Sequence, residues 1–414
     1  MKIGILSQWY DPEPGPAAIP GVLAREFAAA GHEVHVLTGF PNYPTGRLYA
    51  GFRQRLRSTT TSDGVAVTRV PLWTSHDSSA LGRVLNYASF ALSATVAGAR
   101  TISKCDVVWV YNSPVTVALP LLLHTRGGRT PYFLHVQDLW PDSLIESGMF
   151  PAGRIGRVAI AAIRRLVALT ERRARRVGVI SPSVVDLVLE RNPKMRREGL
   201  EYVPNPTDEA LFTPQVVRAR PADEPLTVMY TGAVGEVQGL EGVIRAVAAS
   251  DSDVRLLLVG DGIALPRLRA LVDDLATDRV EFLGRVPKEQ VPELMARADV
   301  HLVSLATSEF LAHTTPSKIA SLLASAVPVL GVIAGDGARL IDDSGAGVTV
   351  APGDDASLRR ALDGLGSLSS EELHSRGEAG RRYYDRHLSA RTAASTIVSS
   401  LLTTATTTPS KDHS

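Results

Sequence analysis

Short apolar runs alternate with amphipathic stretches along the first half of the chain. KIGILS predicts a strand, VLAREFAAAG places Leu23, Phe27 and Ala30 on one helical face, and HEVHVLTG predicts a second strand. A strand, a helix and another strand in this order indicate a parallel sheet, because the helix returns the chain to the edge where it started. Further strands are predicted at 106–112, 131–138 and 177–181.

The same alternation restarts after residue 220. Strands are predicted in LTVMYTG, VRLLLVGDG, VEFLG, DVHLVSL, PVLGV and AGVTVA, with helical patterns between them. Strands this apolar are covered by helices on both faces, as in doubly wound sheets. The segment VPNPTDEALFTP at 203–214 separates the two runs, and its Pro, Asn and Asp content is typical of a hinge.

The predicted fold class is therefore α/β, with two Rossmann-like domains facing each other across a deep cleft. We expect an N-terminal domain at 1–205 and a C-terminal domain at 206–387. A helix at 388–402 is expected to cross back to the N-terminal domain, and the polar segment 403–414 is expected to be disordered.

Composition narrows the class of protein. The formal net charge of +1 over 414 residues gives no reason to expect a nucleic-acid partner. The one cysteine, Cys105, excludes a disulfide framework, which fits a reducing compartment. No stretch reaches the roughly 18–20 apolar residues of a membrane span, and the nearest, 84–99, is interrupted by Asn86. We therefore expect a cytoplasmic protein.

The turn YTGAVGEVQGLEG at 230–242 is predicted to join a strand to a helix. This geometry directs backbone N–H groups at an anion. The turn lacks the G-x-G-x-x-G spacing of dinucleotide folds and the G-x-x-x-x-G-K-[ST] of P-loops, so both are disfavoured. It contains no Lys or Arg, and Glu236 lies in its middle. A tight turn without a ligand is the alternative interpretation.

The segment TSEFLAHTTPSKIASLLASAVPVLG at 307–331 follows a predicted strand. Thr314 or Thr315 suits the N-cap of a helix, and Pro316 suits its first turn. Lys318 then lies in that first turn, where the helix dipole disfavours a cation unless an anion also binds there. The alternatives are a solvated Lys318 and, for Glu309, an ordinary loop carboxylate.

Two further stretches suggest substrate recognition. In FLHVQDLWPDSLIESG, Asp138, Trp140 and Asp142 follow a strand, and acids with an aromatic ring suit a polyol. The alternative is a capping Asp and a core Trp. Asn42 and Tyr43 lie in a long Pro-rich loop at 38–52, which is either a functional loop or a packed connection.

The segment 154–176 holds eight Arg and one Glu, and its apolar residues follow a helical period. A basic amphipathic helix is typical of elements that lie on a membrane surface. We expect it to contact the inner face of the cytoplasmic membrane. The alternative is a packed helix with a solvated basic face.

Several motifs in order resemble the retaining GT-B glycosyltransferases of family 4, over about residues 1–402. The matching pieces are GHEVHVLTG, DLWPDS, VPNP, LLLVGDG, VEFLGRVPKEQVPELMARADV and PSKIASLLASAVPVLG. TGFPNYPTGRLY, DLWPDS, YTGAVGEVQGLE and PSK are most similar to a branch of bacterial surface-polysaccharide transferases that handle N-acetylated amino sugars.

The resemblance implies that a sugar, expected to be an N-acetylated hexosamine, is transferred from a UDP donor with retention of configuration. The acceptor would be a lipid-linked saccharide or a small glycoside. The resemblance implies no cofactor and no metal ion, since protein groups would neutralise the leaving diphosphate. The resemblance and the neighbouring motifs together imply three groups of site residues. The catalytic residues are Asp138, Glu309 and Lys318; the donor-binding residues are Gly15, Pro16, Gly232, Gly235, Gln238, Gly260, Ser317 and Ser321; and the acceptor-binding residues are Asn42, Tyr43, Trp140 and Asp142.

The chain departs from the family pattern at two places. The usual Arg and Lys of the first turn are replaced by Ala233 or Val234 and by Gln238, and the usual second Glu is Ser321. Two alternatives therefore stay open. One is a nucleotide-sugar 2-epimerase, for which Asp138, Glu309 and His313 are the candidate acid/base groups. The other is a homologue that binds a nucleotide sugar without turnover.

Overall fold

The computed structural model describes residues 1–75, 80–125, 130–142, 145, 153–215, 219–221 and 223–402. The chain forms two compact units. One comprises Met1–Asn205 together with the chain from Ala390 onward, and the other comprises Pro206–Ser389. The segment 403–414, predicted to be disordered, lies outside the described residues.

An eight-stranded sheet forms the centre of the first unit. Its strands are β1 (Lys2–Leu6), β2 (Glu33–Gly39), β3 (Ser58–Ser62), β4 (Val65–Val70), β5 (Val107–Asn112), β6 (Tyr132–Val136), β7 (Arg176–Val179) and β8 (Leu200–Tyr202). Their order is β3-β4-β2-β1-β5-β6-β7-β8, and only the edge strand β3 runs antiparallel to its neighbour. The loops after β1 and β5 flank the point where the strand order reverses, which is where such sheets bind ligands.

Helices cover both faces of this sheet. They are α1 (Ile19–Ala29), α2 (Ala80–Ala97), α3 (Ala99–Ile102), α4 (Ala118–His124), α5 (Arg154–Arg173), α6 (Val184–Arg191) and, after the second unit, α15 (Ala390–Leu402). α1 and α15 share one apolar cluster with the sheet, and α2, α4 and α6 share another with its opposite face. The helix that follows the second unit thus packs in the first.

A six-stranded, wholly parallel sheet forms the centre of the second unit. Its strands are β9 (Leu226–Thr231), β10 (Val254–Val259), β11 (Val280–Gly284), β12 (Val300–Ser304), β13 (Val329–Val332) and β14 (Gly347–Val350). The order β11-β10-β9-β12-β13-β14 is that of a doubly wound Rossmann sheet. The loops after β9 and β12 therefore flank its reversal point.

The helices of the second unit connect these strands. They are α7 (Leu240–Ala248), α8 (Leu265–Asp274), α9 (Val291–Met295), α10 (Glu309–Ala312), α11 (Ser317–Ala324), α12 (Gly335–Ser344), α13 (Asp355–Gly366) and α14 (Ser370–His387). Apolar residues of the strands are almost fully buried between them. Each unit is thus an α/β sandwich of the predicted class.

Candidate functional site

The glycine turns after β9 and β10 lie in backbone contact. Gly232 and Gly260 have φ angles of 147° and 144°. A Cβ atom on Gly260 would lie 1.8 Å from the carbonyl oxygen of Gly232, so only glycine fits there. The Gly232 N–H donates to the carbonyl of Val259 at 2.9 Å. This contact fixes the backbone at the tip of the sheet.

The side chain of Gln238 shapes the first turn. Its Oε1 accepts a hydrogen bond from the N–H of Gly235 at 2.9 Å, and Ser304 Oγ donates to the Gln238 carbonyl at 2.6 Å. The Gly235 N–H is therefore already occupied, whereas the turn had been expected to offer it to a phosphate. Of the Gln238 amide, the Nε2 group is the part that can donate to a ligand.

Glu236 is exposed and forms an ion pair with Arg267 of α8, with 2.6 Å between Oε2 and Nη2. Arg267 also contacts Glu241, with 2.6 Å from Nε to Oε1. Sequence reasoning missed Arg267, because the contact joins positions 31 residues apart. Two carboxylates already balance this guanidinium, so it is poorly suited to supply the positive charge that the turn itself lacks.

Lys318 supplies an ammonium group at this tip. Its Nζ lies 3.5 Å from the centre of the Tyr230 ring, and a Cβ on Gly232 would lie 3.3 Å from it. In the described part of the chain, no carboxylate lies within ion-pair distance of this ammonium. Burial lowers the pKa of Lys318 to about 7, because the charged form is deprived of water. The site therefore favours a bound anion.

The helix that carries Lys318 begins differently from the sequence prediction. α11 starts at Ser317, and Pro316 is its N-cap with φ −58° and ψ 128°. No side chain caps it, so the expected cap by Thr314 or Thr315 was wrong. The proline takes that position because its fixed φ suits the approach to a helix while its missing N–H costs nothing there. Lys318 nevertheless lies in the first turn, as expected.

The other predicted residues of this loop differ in their surroundings. Glu309 begins α10 and is exposed, as is Ser317. Ser321 Oγ lies 2.7 Å from the hydroxyl of Thr207, so its hydroxyl already has a partner within the unit. The loop after β12 also meets the glycine turn, since the Ala306 N–H donates to the Val237 carbonyl at 2.8 Å. Both loops at the reversal point are thereby joined.

In the first unit, Gly15 and Pro16 begin a 3-10 helix after β1 and are exposed. The hydroxyl of Tyr111, in β5, donates to the Pro16 carbonyl at 2.9 Å and ties this loop to the neighbouring strand. Glu13 lies beneath it at 2% exposure, and its Oε1 accepts the N–H groups of Asn42 and Tyr43, each at 2.7 Å. Two loops at the sheet tip are thus joined through one carboxylate.

Asp138 lies at the end of β6. Its Oδ2 accepts a hydrogen bond from Ser113 Oγ at 2.6 Å. Burial raises the pKa of Asp138, and the bond from Ser113 partly offsets that effect by stabilising the carboxylate. The carboxylate is held in one orientation at the carboxyl end of the sheet.

Residues beside this end of β6 carry polar atoms without partners. Asn205 Nδ2 donates to Gln137 Oε1 at 2.5 Å, and Asn112 ends the adjacent strand β5. Within the described residues, Asn112 Oδ1, Gln137 Nε2, Asn205 Oδ1 and Trp140 Nε1 are buried without a hydrogen-bond partner. Buried polar atoms normally have partners, so these atoms suit a polyhydroxylated ligand. Asn112 and Asn205 were not among the predicted site residues. Asn112 ends β5, and Asn205 lies in the VPNP motif after β8.

The four predicted acceptor residues are not equally placed. Asn42 is buried, with its amide bonded to the Phe40 carbonyl and to Asn86. Tyr43 is half-buried, with its ring centre 5.8 Å from that of Trp9. Trp140 packs in a small apolar cluster, and Asp142 lies 3.7 Å from Arg164. Tyr43 and Asp142 keep accessible side-chain surface, whereas Asn42 serves the loop interior.

Two family models match the chain. "Glycosyl transferase 4-like domain" matches residues 15–206, and "Glycosyl transferases group 1" matches residues 225–367. Between them they span most of both units.

Proteins of similar sequence and solved structures of similar fold indicate the same family as the two models. A protein of Escherichia coli (strain K12) named for colanic acid biosynthesis, the glycosyl transferase WcaI, is 29% identical over 78% of this chain and 81% of its own. The 2-deoxystreptamine N-acetyl-D-glucosaminyltransferase of Streptomyces fradiae is 28% identical over 82% of this chain and 79% of its own. The crystal structure of Anabaena HepE with UDP and glucose has a TM-score of 0.66 at 16% identity, covering 97% and 99% of the two chains. The chain belongs to the family 4 glycosyltransferases and has the GT-B fold.

Proposed function

We propose that this protein is a retaining, metal-independent transferase that moves an N-acetylated hexosamine from a UDP donor to a hydroxyl of a glycoside. The observation that carries the proposal is the half-buried amine of Lys318, which lies beside the glycine turn after β9 without a carboxylate partner among the described residues. A diphosphate is the anion that such donors present. The relative from Streptomyces fradiae is named for N-acetylglucosaminyl transfer, which supports the amino sugar.

Lys318 would act on the leaving group. As the bond from the anomeric carbon to the diphosphate breaks, negative charge accumulates on the phosphate oxygens. A fixed ammonium in a poorly hydrated site stabilises that charge more than water does. The Nε2 group of Gln238 and the dipoles of α7 and α11 would add weaker stabilisation. Lys318 thus replaces the basic pair that the turn lacks.

Asp138 would orient the acceptor or the transferred sugar. Its carboxylate accepts a hydrogen bond from Ser113, and the neighbouring residues Asn112, Gln137 and Asn205 carry polar atoms without partners. The acceptor hydroxyl would attack on the face that the diphosphate leaves, and a phosphate oxygen would take the hydroxyl proton. No separate strong base is then required. Glu309 would accept hydrogen bonds from sugar hydroxyls.

The acceptor is proposed to be a lipid-linked saccharide or a small glycoside. The basic helix α5, within the segment 154–176, would hold the protein at the inner face of the cytoplasmic membrane, where lipid-linked acceptors are found. Arginines near an anionic surface add attraction that falls with salt.

The test is donor turnover. The purified protein is incubated with UDP-N-acetylglucosamine, UDP-N-acetylgalactosamine and UDP-glucose, and UDP release is followed with and without lipid-linked and soluble acceptors. We expect slow release that an acceptor accelerates, with an α-linked product by NMR. Appearance of the 2-epimer of the donor would replace the proposal by an epimerase. Tight donor binding without turnover on any acceptor would indicate a non-catalytic homologue.

A further inference from the structure

The outer surface of α2 carries five exposed apolar side chains. Leu81, Val84, Leu85, Leu92 and Val96 are 68%, 53%, 43%, 59% and 76% exposed. Their spacing of three, four or seven places them on one face of the helix, opposite Phe90 and Ala94, which pack on the sheet. Eighteen residues extend about 27 Å. A water-facing helix normally carries charges there, so this face is suited to an apolar partner.

Neighbouring helices continue this surface. α4 lies beside α2, since the ring of His124 lies 3.4 Å from the Ala94 carbonyl, and it exposes Leu119 and Leu123. α5 shares a small apolar cluster with α2 through Tyr87 and Leu166, and it exposes Val158. Eight of the sixteen exposed large apolar side chains in the described part of the chain lie on these three helices. Exposed apolar side chains are usually scattered singly over the surface of a soluble protein, whereas these eight are concentrated on three neighbouring helices.

The charged side chains that reach solvent on α2 and α5 are all arginines. α2 contains no acidic residue, and its only charged side chain is Arg83. α5 exposes arginines at positions 154, 157, 164, 165, 172 and 173. The only acid of that helix, Glu171, is 1% exposed and pairs with Arg191. The outward face of the group is therefore apolar and cationic.

We propose that α2, with Leu119 and Leu123 of α4, inserts its apolar face into the leaflet of an anionic phospholipid bilayer that faces the protein. The arginines of α5 bind the lipid phosphates of the same leaflet. A bilayer presents both an apolar layer and negative charge in one plane, which matches this surface. None of the described helices is long and apolar enough to cross a bilayer. The inference extends the membrane contact of α5 proposed above by assigning the inserting element, and so rests on that part of the proposed function.

Vesicle binding tests the inference. The full chain is sedimented with vesicles of phosphatidylcholine mixed with phosphatidylglycerol, and with phosphatidylcholine alone. We expect binding to the anionic vesicles that weakens with added salt. The double variant Leu92→Gln and Val96→Gln should bind at least about tenfold more weakly, because two apolar side chains no longer enter the lipid. Leu56→Gln is the control, because Leu56 is 70% exposed and lies outside α2, α4 and α5.

A second measurement does not depend on the folding of that variant. Trp73 is 59% exposed, and its carbonyl accepts a hydrogen bond from Asn86 of α2. Brominated lipids should quench its emission on binding, and Trp73→Phe should remove that quenching. Equal binding by the double variant, no binding by the unaltered protein, or α2-dependent self-association in ultracentrifugation would each overturn the inference. UDP release measured without vesicles should be equal in all variants, which separates this outcome from failure of the transferase proposal.

Discussion

The ammonium nitrogen of Lys318 lies 3.5 Å from the centre of the Tyr230 ring, beside the backbone of Gly232. The ring gives the cation a weak partner and keeps water from one side of it. It does not neutralise the charge. With a pKa of about 7, the amine lies between its charged and neutral forms near neutral pH, and an incoming anion would favour the charged form.

Replacing Lys318 should affect turnover more than folding. We expect Lys318→Ala to lower kcat/KM for the nucleotide sugar by about 100-fold or more, since a fixed donor to the leaving group is lost. Lys194→Ala, at an exposed position of the first unit, is the control. Steady-state UDP release measures both. An unchanged rate for Lys318→Ala would remove this residue from the mechanism.

Donor binding should take up a proton above neutral pH. The pKa of Lys318 is about 7, and a bound diphosphate would raise it. UDP affinity should therefore fall between about pH 7 and pH 9, by up to about tenfold for each pH unit. Titration calorimetry near the upper end of this pH range, in buffers of different ionisation enthalpy, should reveal the proton uptake. Lys318→Met should abolish it, and a buffer-independent enthalpy in the unaltered protein would contradict the linkage.

The contact between the two glycine turns should be sensitive to a single methyl group. Gly260→Ala would place Cβ 1.8 Å from the Gly232 carbonyl oxygen at a φ of 144°, so we expect a loss of about 2 kcal/mol or more in unfolding free energy. Gly364→Ala is the matched control. Gly364 lies in α13, and a Cβ atom added there would meet no atom within 4 Å, so the change should stabilise by about 0.5–1 kcal/mol. Urea denaturation followed by circular dichroism compares them, and equal midpoints would refute the steric argument.

Glu13 should make stability depend on pH. Burial raises its pKa to about 7 from 4.5, although the N–H groups of Tyr10, Asn42 and Tyr43 and the charge of Arg69 favour the carboxylate. Because the folded-state pKa is the higher one, its contribution is complete below about pH 4.5 and is lost as the pH rises through about 7. The full effect is about 3 kcal/mol.

Thermal unfolding across this range provides the measurement. Glu13→Gln cannot ionise, so its stability should fall less than that of the unaltered protein between about pH 5 and pH 8. Glu190→Gln, at a surface position of α6, controls for the general loss of one acid. Parallel curves for the unaltered protein and Glu13→Gln would show that Glu13 keeps an ordinary pKa.

The sequence was most informative where burial is continuous. All six strands of the second sheet lie within apolar runs that the pattern identified, because a parallel strand covered on both faces must be apolar throughout. β3, β4 and β8 were not predicted. The sequence of β3, STTTS, lies at the sheet edge and carries no apolar signal. The prediction of α/β units with helices on both faces was confirmed.

Contacts between distant positions were the part that the sequence could not provide. The ion pair of Glu236 with Arg267 and the stacking of Lys318 on Tyr230 depend on how neighbouring strands bring their ends together. In the sequence, Tyr230 was part of the predicted strand end and was assigned no role. The position of Gln238 shows a different limit, because its side chain bonds back to Gly235 within the same turn.

The position of α15 affects how the protein can be made. Ala393, Ile397 and Leu401 of this helix complete the apolar cluster around Phe27 and Trp109. The ribosome synthesises these three residues only after the whole second unit. The first unit to emerge is then the last to be finished, which reverses the usual N-terminal-first order of folding during synthesis. Until residue 401 is translated, that cluster remains open to chaperones and to other nascent chains.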